Sequence, residues 1–146
     1  MGRKLVLDQV NMVVRNMDAA AEFYSLLGLD LSERTPEWHK HHRSVDMSDK
    51  GLDFDLDSVV FARQWNEGWS GRKNGAGCVV IFRTETREEV DEIHADLAGA
   101  GYTVQQPPYD AFWGSRFTVI EDPDGNAIGV MSPPTAGRRA APEPPA

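Results

Sequence analysis

Apolar and polar positions along the chain follow one order of rhythms, and that order occurs twice. In residues 4–15 the apolar positions Leu5, Val6, Leu7, Val10, Met12, Val13 and Val14 form a β-rich run interrupted by Asp8, Gln9 and Asn11, which predicts a first strand. Asn16 follows as a helix cap, and Ala20, Phe23, Tyr24 and Leu27 recur at helical spacing until Gly28, a stop signal. Residues 29–32 are expected as a short second strand and residues 38–47 as a third. Leu52, Phe54 and Leu56 then alternate with Asp53, Asp55 and Asp57, so a fourth strand carries three carboxylates on one face and its apolar side chains on the other.

The second half repeats the order. Cys78-Val-Val-Ile-Phe82 marks a strand over residues 77–84, and Thr86-Arg-Glu-Glu89 has the capping-box spacing of a helix start. Val90, Ile93 and Leu97 give that helix its inward face, with Gly101 beyond it. Strands are predicted over residues 102–105, 116–120 and 126–131. Asp122-Pro-Asp-Gly-Asn126 forms the tight turn before the last of them, since Pro123 presets one dihedral and Gly125 accepts a positive φ. The fold class read from this pattern is α+β, two βαβββ modules over residues 1–58 and 77–133. A linker over 59–76 carries Trp65, Gly68, Trp69, Gly71 and Gly75, and a tail over 134–146 has little to bury and is expected to be disordered.

Composition narrows the function classes. With 146 residues and 40% apolar content the chain is long enough for one domain or two small modules. The net charge of −8 argues against nucleic acid, because phosphate binding gains from a basic surface. No stretch is apolar enough to span a membrane, and the apolar run after the basic start is broken by Asp8 and Gln9 and lacks a small-residue cleavage site, so a cytoplasmic location is expected. The single Cys78 excludes an internal disulfide; it reads as a buried strand thiol. The glycines at 68, 71, 75 and 77 fit no phosphate loop. His39 and His41 have the spacing to share an ion on one side of a strand, yet Lys40 and Arg43 beside them favour a solvated edge.

Four stretches resemble the vicinal oxygen chelate superfamily of glyoxalases, extradiol dioxygenases and bleomycin resistance proteins. They are Val14-Arg-Asn-Met-Asp-Ala-Ala-Ala-Glu-Phe-Tyr24 with Leu27-Gly-Leu29, Phe82-Arg-Thr-Glu-Thr-Arg-Glu-Glu-Val90, Asp110-Ala-Phe-Trp-Gly114 and Asp122-Pro-Asp-Gly-Asn126. The resemblance covers residues 5–133. It implies paired modules around a cleft, a homodimer and, in metal-dependent members, a divalent ion on four side chains. Aligned by these motifs, the four ligand positions fall on Gln9, on Val79 with Cys78 as the alternative one residue away, on Asp55 and on Gly129; Val79 and Gly129 offer no donor. The resemblance therefore implies no metal, no other cofactor and no catalytic residue here, and stands closest to the drug-binding branch.

What remains is a pocket. Strand phase puts Gln9, Asn11, Asp53, Asp55, Val79, Ile81, Gly129 and Met131 on the concave side, with Gly129 leaving space where a carboxylate would project. Trp38, Trp65, Trp69, Phe112 and Trp113 are placed near its mouth, where flat rings can stack on a ligand for about 1 kcal/mol each. The expected partner is an aromatic small molecule, a cationic one being compatible with the acidic wall. The competing reading is an enzyme, a divergent lyase or isomerase with a displaced ion or with Asp53 or Asp55 as base.

Overall fold

A computed structural model describes residues 9–32, 36–48, 52–65, 79–111 and 113–140. The chain divides into two compact units, Met1–Lys73 and Asn74–Ala146, and each is built on its own sheet.

In the first unit, strand β1 (Gln9–Val14) leads into helix α1 (Met17–Leu26), followed by β2 (His42–Asp46), β3 (Asp53–Ser58) and helix α2 (Val59–Trp65). Asn16 starts α1 as the sequence predicts, its Oδ1 accepting from the Ala19 N–H at 3.0 Å, and Gly28 follows the helix at φ +97°. The sheet order is β1-β3-β2, with β1 parallel and β2 antiparallel to β3. Strand alternation sends Met12, Val14, Phe54 and Leu56 to one face, where they are buried with Ala20, Phe23 and Tyr24 of α1. The Tyr24 and Phe54 rings lie 4.9 Å apart.

Two expectations fail in this unit for local reasons. Residues 29–32 form no strand: the Leu31 N–H turns back to the Leu29 carbonyl, and the Leu31 carbonyl accepts from the Arg43 guanidinium rather than from a neighbouring strand. The strand expected over 38–47 begins only at His42, because the N–H groups of His41 and His42 both donate to the Trp38 carbonyl in a turn. The start of the expected linker is also structured. Ser58 Oγ accepts from the Phe61 N–H at 3.1 Å and starts α2, a helix that opens on the β-branched, weakly helix-forming Val59 and Val60.

The second unit follows the predicted order throughout: β4 (Val79–Arg83), α3 (Arg87–Gly99), β5 (Val104–Asp110), β6 (Arg116–Glu121) and β7 (Ala127–Met131), then a short 3₁₀ turn (Ala136–Arg138). The capping box is complete, with Thr86 Oγ1 accepting from the Glu89 N–H and the Glu89 carboxylate from the Thr86 N–H. The order β4-β7-β6-β5 leaves β5 at an edge, where Pro107 and Pro108 are tolerated because its pairing with β6 shifts register between Gln106 and Tyr109. Val90 and Leu97 of α3 are buried, as are Ile120, Ile128 and Val130 of the sheet. In the Asp122 turn, Asp122 Oδ1 accepts the N–H groups of Asp124 and Asn126, and Gly125 has φ +79°. The motif glycine Gly114, at φ +96°, has no room for a side chain: a Cβ there would lie 2.6 Å from the Thr135 carbonyl oxygen.

Candidate functional site

The side of the first sheet turned away from α1 is polar, and alternation dictates which residues stand on it. Register aligns Gln9 with Asp53 and Asp46, Asn11 with Asp55 and Ser44, and Val13 with Asp57 and His42. Helix α2 follows β3 and supplies Phe61 as a wall. The resulting depression, about 600 Å³, is lined by Gln9, Asn11, His42, Ser44, Asp53, Asp55, Asp57 and Phe61.

One hydrogen-bonded chain crosses this face. Gln9 Nε2 donates to Asn11 Oδ1 at 2.6 Å, Asn11 Nδ2 donates to Asp57 Oδ2 at 2.8 Å, and His42 Nδ1 meets Asp57 Oδ1 at 2.6 Å. Asp57 is only 1% exposed, and both its oxygens are satisfied by these two residues. With Nδ1 turned to a carboxylate, the neutral imidazole carries its proton there and leaves Nε2 as an acceptor. The His42 ring stands edge-on to Phe61, centroids 5.8 Å apart.

Asp55 is different. It is 5% exposed, and its Oδ1 has no hydrogen-bond partner. Burial pushes its carboxyl above the usual carboxylate range; Ser44, hydrogen-bonded to it, and His42 pull the other way, while Asp57 and Asp53 add to the rise. The row of aspartates is thus no solvated outer surface at Asp55 and Asp57.

Beyond Phe61 lies a second depression of about 300 Å³, lined by Glu37, Trp38, His41, Val60, Phe61 and Gln64. Trp38 is 46% exposed and its ring lies 5.2 Å from that of Phe61, so Phe61 is shared by both depressions. Of the residues predicted from sequence, Gln9, Asn11, Asp53 and Asp55 come together, and Trp38 lies in the adjoining hollow. Ser44, Asp57, His42 and Phe61 were absent from the predicted set. The Asp57 signal was present in the alternation itself, whereas His42 and Phe61 depend on where β2 begins and on α2.

In the second unit, the polar requirement disappears. Val79 and Ile81 are exposed on β4, and Trp113 Nε1 points at Met131 Sδ at 3.3 Å, with the Trp113 and Phe117 rings 5.5 Å apart. The space expected over Gly129 is not open: it is buried, and a Cβ would lie 2.9 Å from Ile81 Cγ1 and 3.0 Å from Phe117 Cε2. Trp69, Phe112 and Cys78 lie outside the described residues, and Trp65 is placed only as the last residue of α2.

A divalent ion does not suit these donors. Val79 and Gly129 bring none, a Gln9 amide oxygen is a neutral and weak ligand, and among the described residues no three His, Cys, Asp or Glu are placed to share an ion. His39 and His41 turn their Nδ1 atoms to different partners, the Pro36 carbonyl and Ser58 Oγ.

Comparison with known proteins agrees with the architecture. A glyoxalase-related enzyme from Fulvimarina pelagi superposes with TM-score 0.73 at 16% identity, over 88% of each chain. A glyoxalase/bleomycin resistance protein/dioxygenase family enzyme from Burkholderia phytofirmans PsJN gives 0.71 at 22%, over 86% of this chain and 97% of that one. A lactoylglutathione lyase from Agrobacterium tumefaciens gives 0.62 at 19%, over 90% and 96%. At these identities the likeness is one of fold. No curated protein is a significant match to the sequence. The family description Glyoxalase/Bleomycin resistance protein/Dioxygenase superfamily matches residues 6–130, most of the chain and both sheets, and the protein belongs to that superfamily.

Proposed function

We propose that the protein binds a bulky aromatic small molecule without a metal, and that it confers antibiotic resistance by sequestering such a compound in the cytoplasm, as a homodimer. The observation that carries this reading is Asp55, a buried carboxyl at the floor of a depression with one oxygen unpaired. A buried acceptor without a partner is costly, and a bound molecule that supplies the missing hydrogen bond removes that cost. Phe61 beside it, with Trp38 in the adjoining hollow, offers ring faces and edges for a flat ligand.

A second reading, an enzyme of the same superfamily, is favoured by one specific arrangement. His42 is oriented by the buried Asp57, and the neighbouring Asp55 has a raised pKa; paired groups of that kind suit proton transfer. One experiment separates the two. The purified protein is titrated with bleomycin-type, mitomycin-type and enediyne-type compounds while tryptophan fluorescence is followed, and the compound is then recovered and analysed by mass. Saturable binding with unaltered compound is expected. Recovery of a converted product selects the enzyme, and no saturable binding by any of the three classes overturns sequestration. Sedimentation of the free protein at a dimer's mass is expected, and a monomer would remove that part of the reading.

A further inference from the structure

The hydrogen-bonding groups of the first-unit depression are unevenly used. The Gln9 amide is committed to Asn11, the Asn11 amide to Asp57, the His42 Nδ1 proton to Asp57 and the Ser44 hydroxyl to Asp55. Each of these side chains thus spends a donor on a neighbour, while acceptor capacity is left over at Asp55 Oδ1, which is buried and unpaired. Asp53, two residues along the same strand, places a second carboxylate on the same face. A guest that satisfies Asp55 Oδ1 must bring a hydrogen-bond donor, and beside Asp53 it meets negative potential when it does.

From this we infer that the depression is a subsite for a cationic N–H donor, an ammonium or amidinium group, held on Asp55 Oδ1 with Asp53 beside it and Phe61 against the apolar part of the guest. Asp57 is not the contact, since Asn11 and His42 already occupy both its oxygens. The raised pKa of Asp55 agrees with this: burial, with Asp57 and Asp53 nearby, disfavours its carboxylate, and a bound cation would stabilise it. The inference rests on reading this depression as the ligand seat, and it adds the chemical class that the seat selects.

Benzamidine and benzamide test it, because they share a shape and differ in charge and donors. Both are titrated at neutral pH into the ¹⁵N-labelled full-length protein. Benzamidine is expected to bind at least tenfold more tightly than benzamide and to shift the backbone amides of residues 53–57 and 9–11. Asp55→Asn should weaken benzamidine at least tenfold and leave benzamide unchanged. Glu88→Gln, which removes an equal charge from the exposed first turn of α3 in the other unit, should change neither. Equal affinity of the wild-type protein for the two probes overturns the subsite whether or not the Asp55 variant folds. So does benzamidine binding that Asp55→Asn leaves intact, or shifts confined to the second unit. Selective benzamidine binding together with failure of all three antibiotic classes would retain the subsite and discard sequestration.

Discussion

Asp55 and Asp57 sit two residues apart on one strand face, and their environments push them toward different roles. Asp57 is buried but fully partnered, so it orders its surroundings, fixing both the Asn11 amide and the His42 ring. Asp55 is buried with an open oxygen and a carboxyl that resists ionisation, which is what a group kept for a ligand looks like before the ligand arrives. This has a consequence for stability. A carboxyl whose folded-state pKa is raised destabilises the fold where it is ionised, and the native state gains on the unfolded one as pH falls through that pKa. Asp55→Asn removes the penalty. The variant should be more stable than wild type by about 1 kcal/mol at pH 7, and the advantage should shrink steadily toward the ordinary carboxylate pKa, about 3.9, where the unfolded chain is protonated too. Urea unfolding at a series of pH values measures it, and an advantage that grows on acidification would contradict the assignment.

At the scale of elements, Ser58 ties the site to the fold. Its Oγ accepts from the Phe61 N–H at the start of α2 and also meets His41 Nδ1 at 2.9 Å, at the end of the turn before β2. Ser58→Ala should cost about 1 kcal/mol, as the loss of an N-cap does, and should also weaken ligand binding, because the helix that presents Phe61 loses its start. Thr86→Ala, which breaks the capping box of α3, should cost a similar amount, about 1 kcal/mol, with binding at the first unit unchanged. A binding loss shared equally by both variants would mean that the effect is general loosening rather than placement of Phe61. These caps also show what was legible in the sequence. Thr86-Arg-Glu-Glu89 announces its helix because polar cap and apolar periodicity agree. Ser58-Val-Val-Phe61 conceals one, because it opens a stretch whose scattered Trp and Gly read as an irregular linker. Strand alternation gave Gln9, Asn11, Asp53 and Asp55 their common face. It could not reveal His42 or Phe61, which reach the site through a turn on the Trp38 carbonyl and a seven-residue helix. Nor could motif spacing show that Ile81 and Phe117 fill the space above Gly129, since that contact joins three strands.

At the scale of the whole molecule, the two units divide the chemistry between an acidic, hydrogen-bonding sheet face and one carrying Val79, Ile81, Trp113, Phe117 and Met131. The net charge of −8 acts over both and over longer range than any contact. Its effect can be separated from that of Asp55 because salt screens the two unequally. Exposed charges more than about 10 Å apart are largely screened at 0.1 M ionic strength, whereas a contact on a buried carboxylate is screened much less. If the general field gathers cations and Asp55 selects among them, benzamidine affinity should fall about threefold between 50 and 500 mM sodium chloride, while the uncharged benzamide shows no trend. The Asp55→Asn protein, already weak, should retain the same proportional salt dependence, since its remaining charge is nearly unaltered. Isothermal titration across the salt series provides the measurement. Loss of all selectivity for benzamidine over benzamide at high salt would assign the preference to the diffuse charge of the molecule and take it away from the single unpaired oxygen of Asp55.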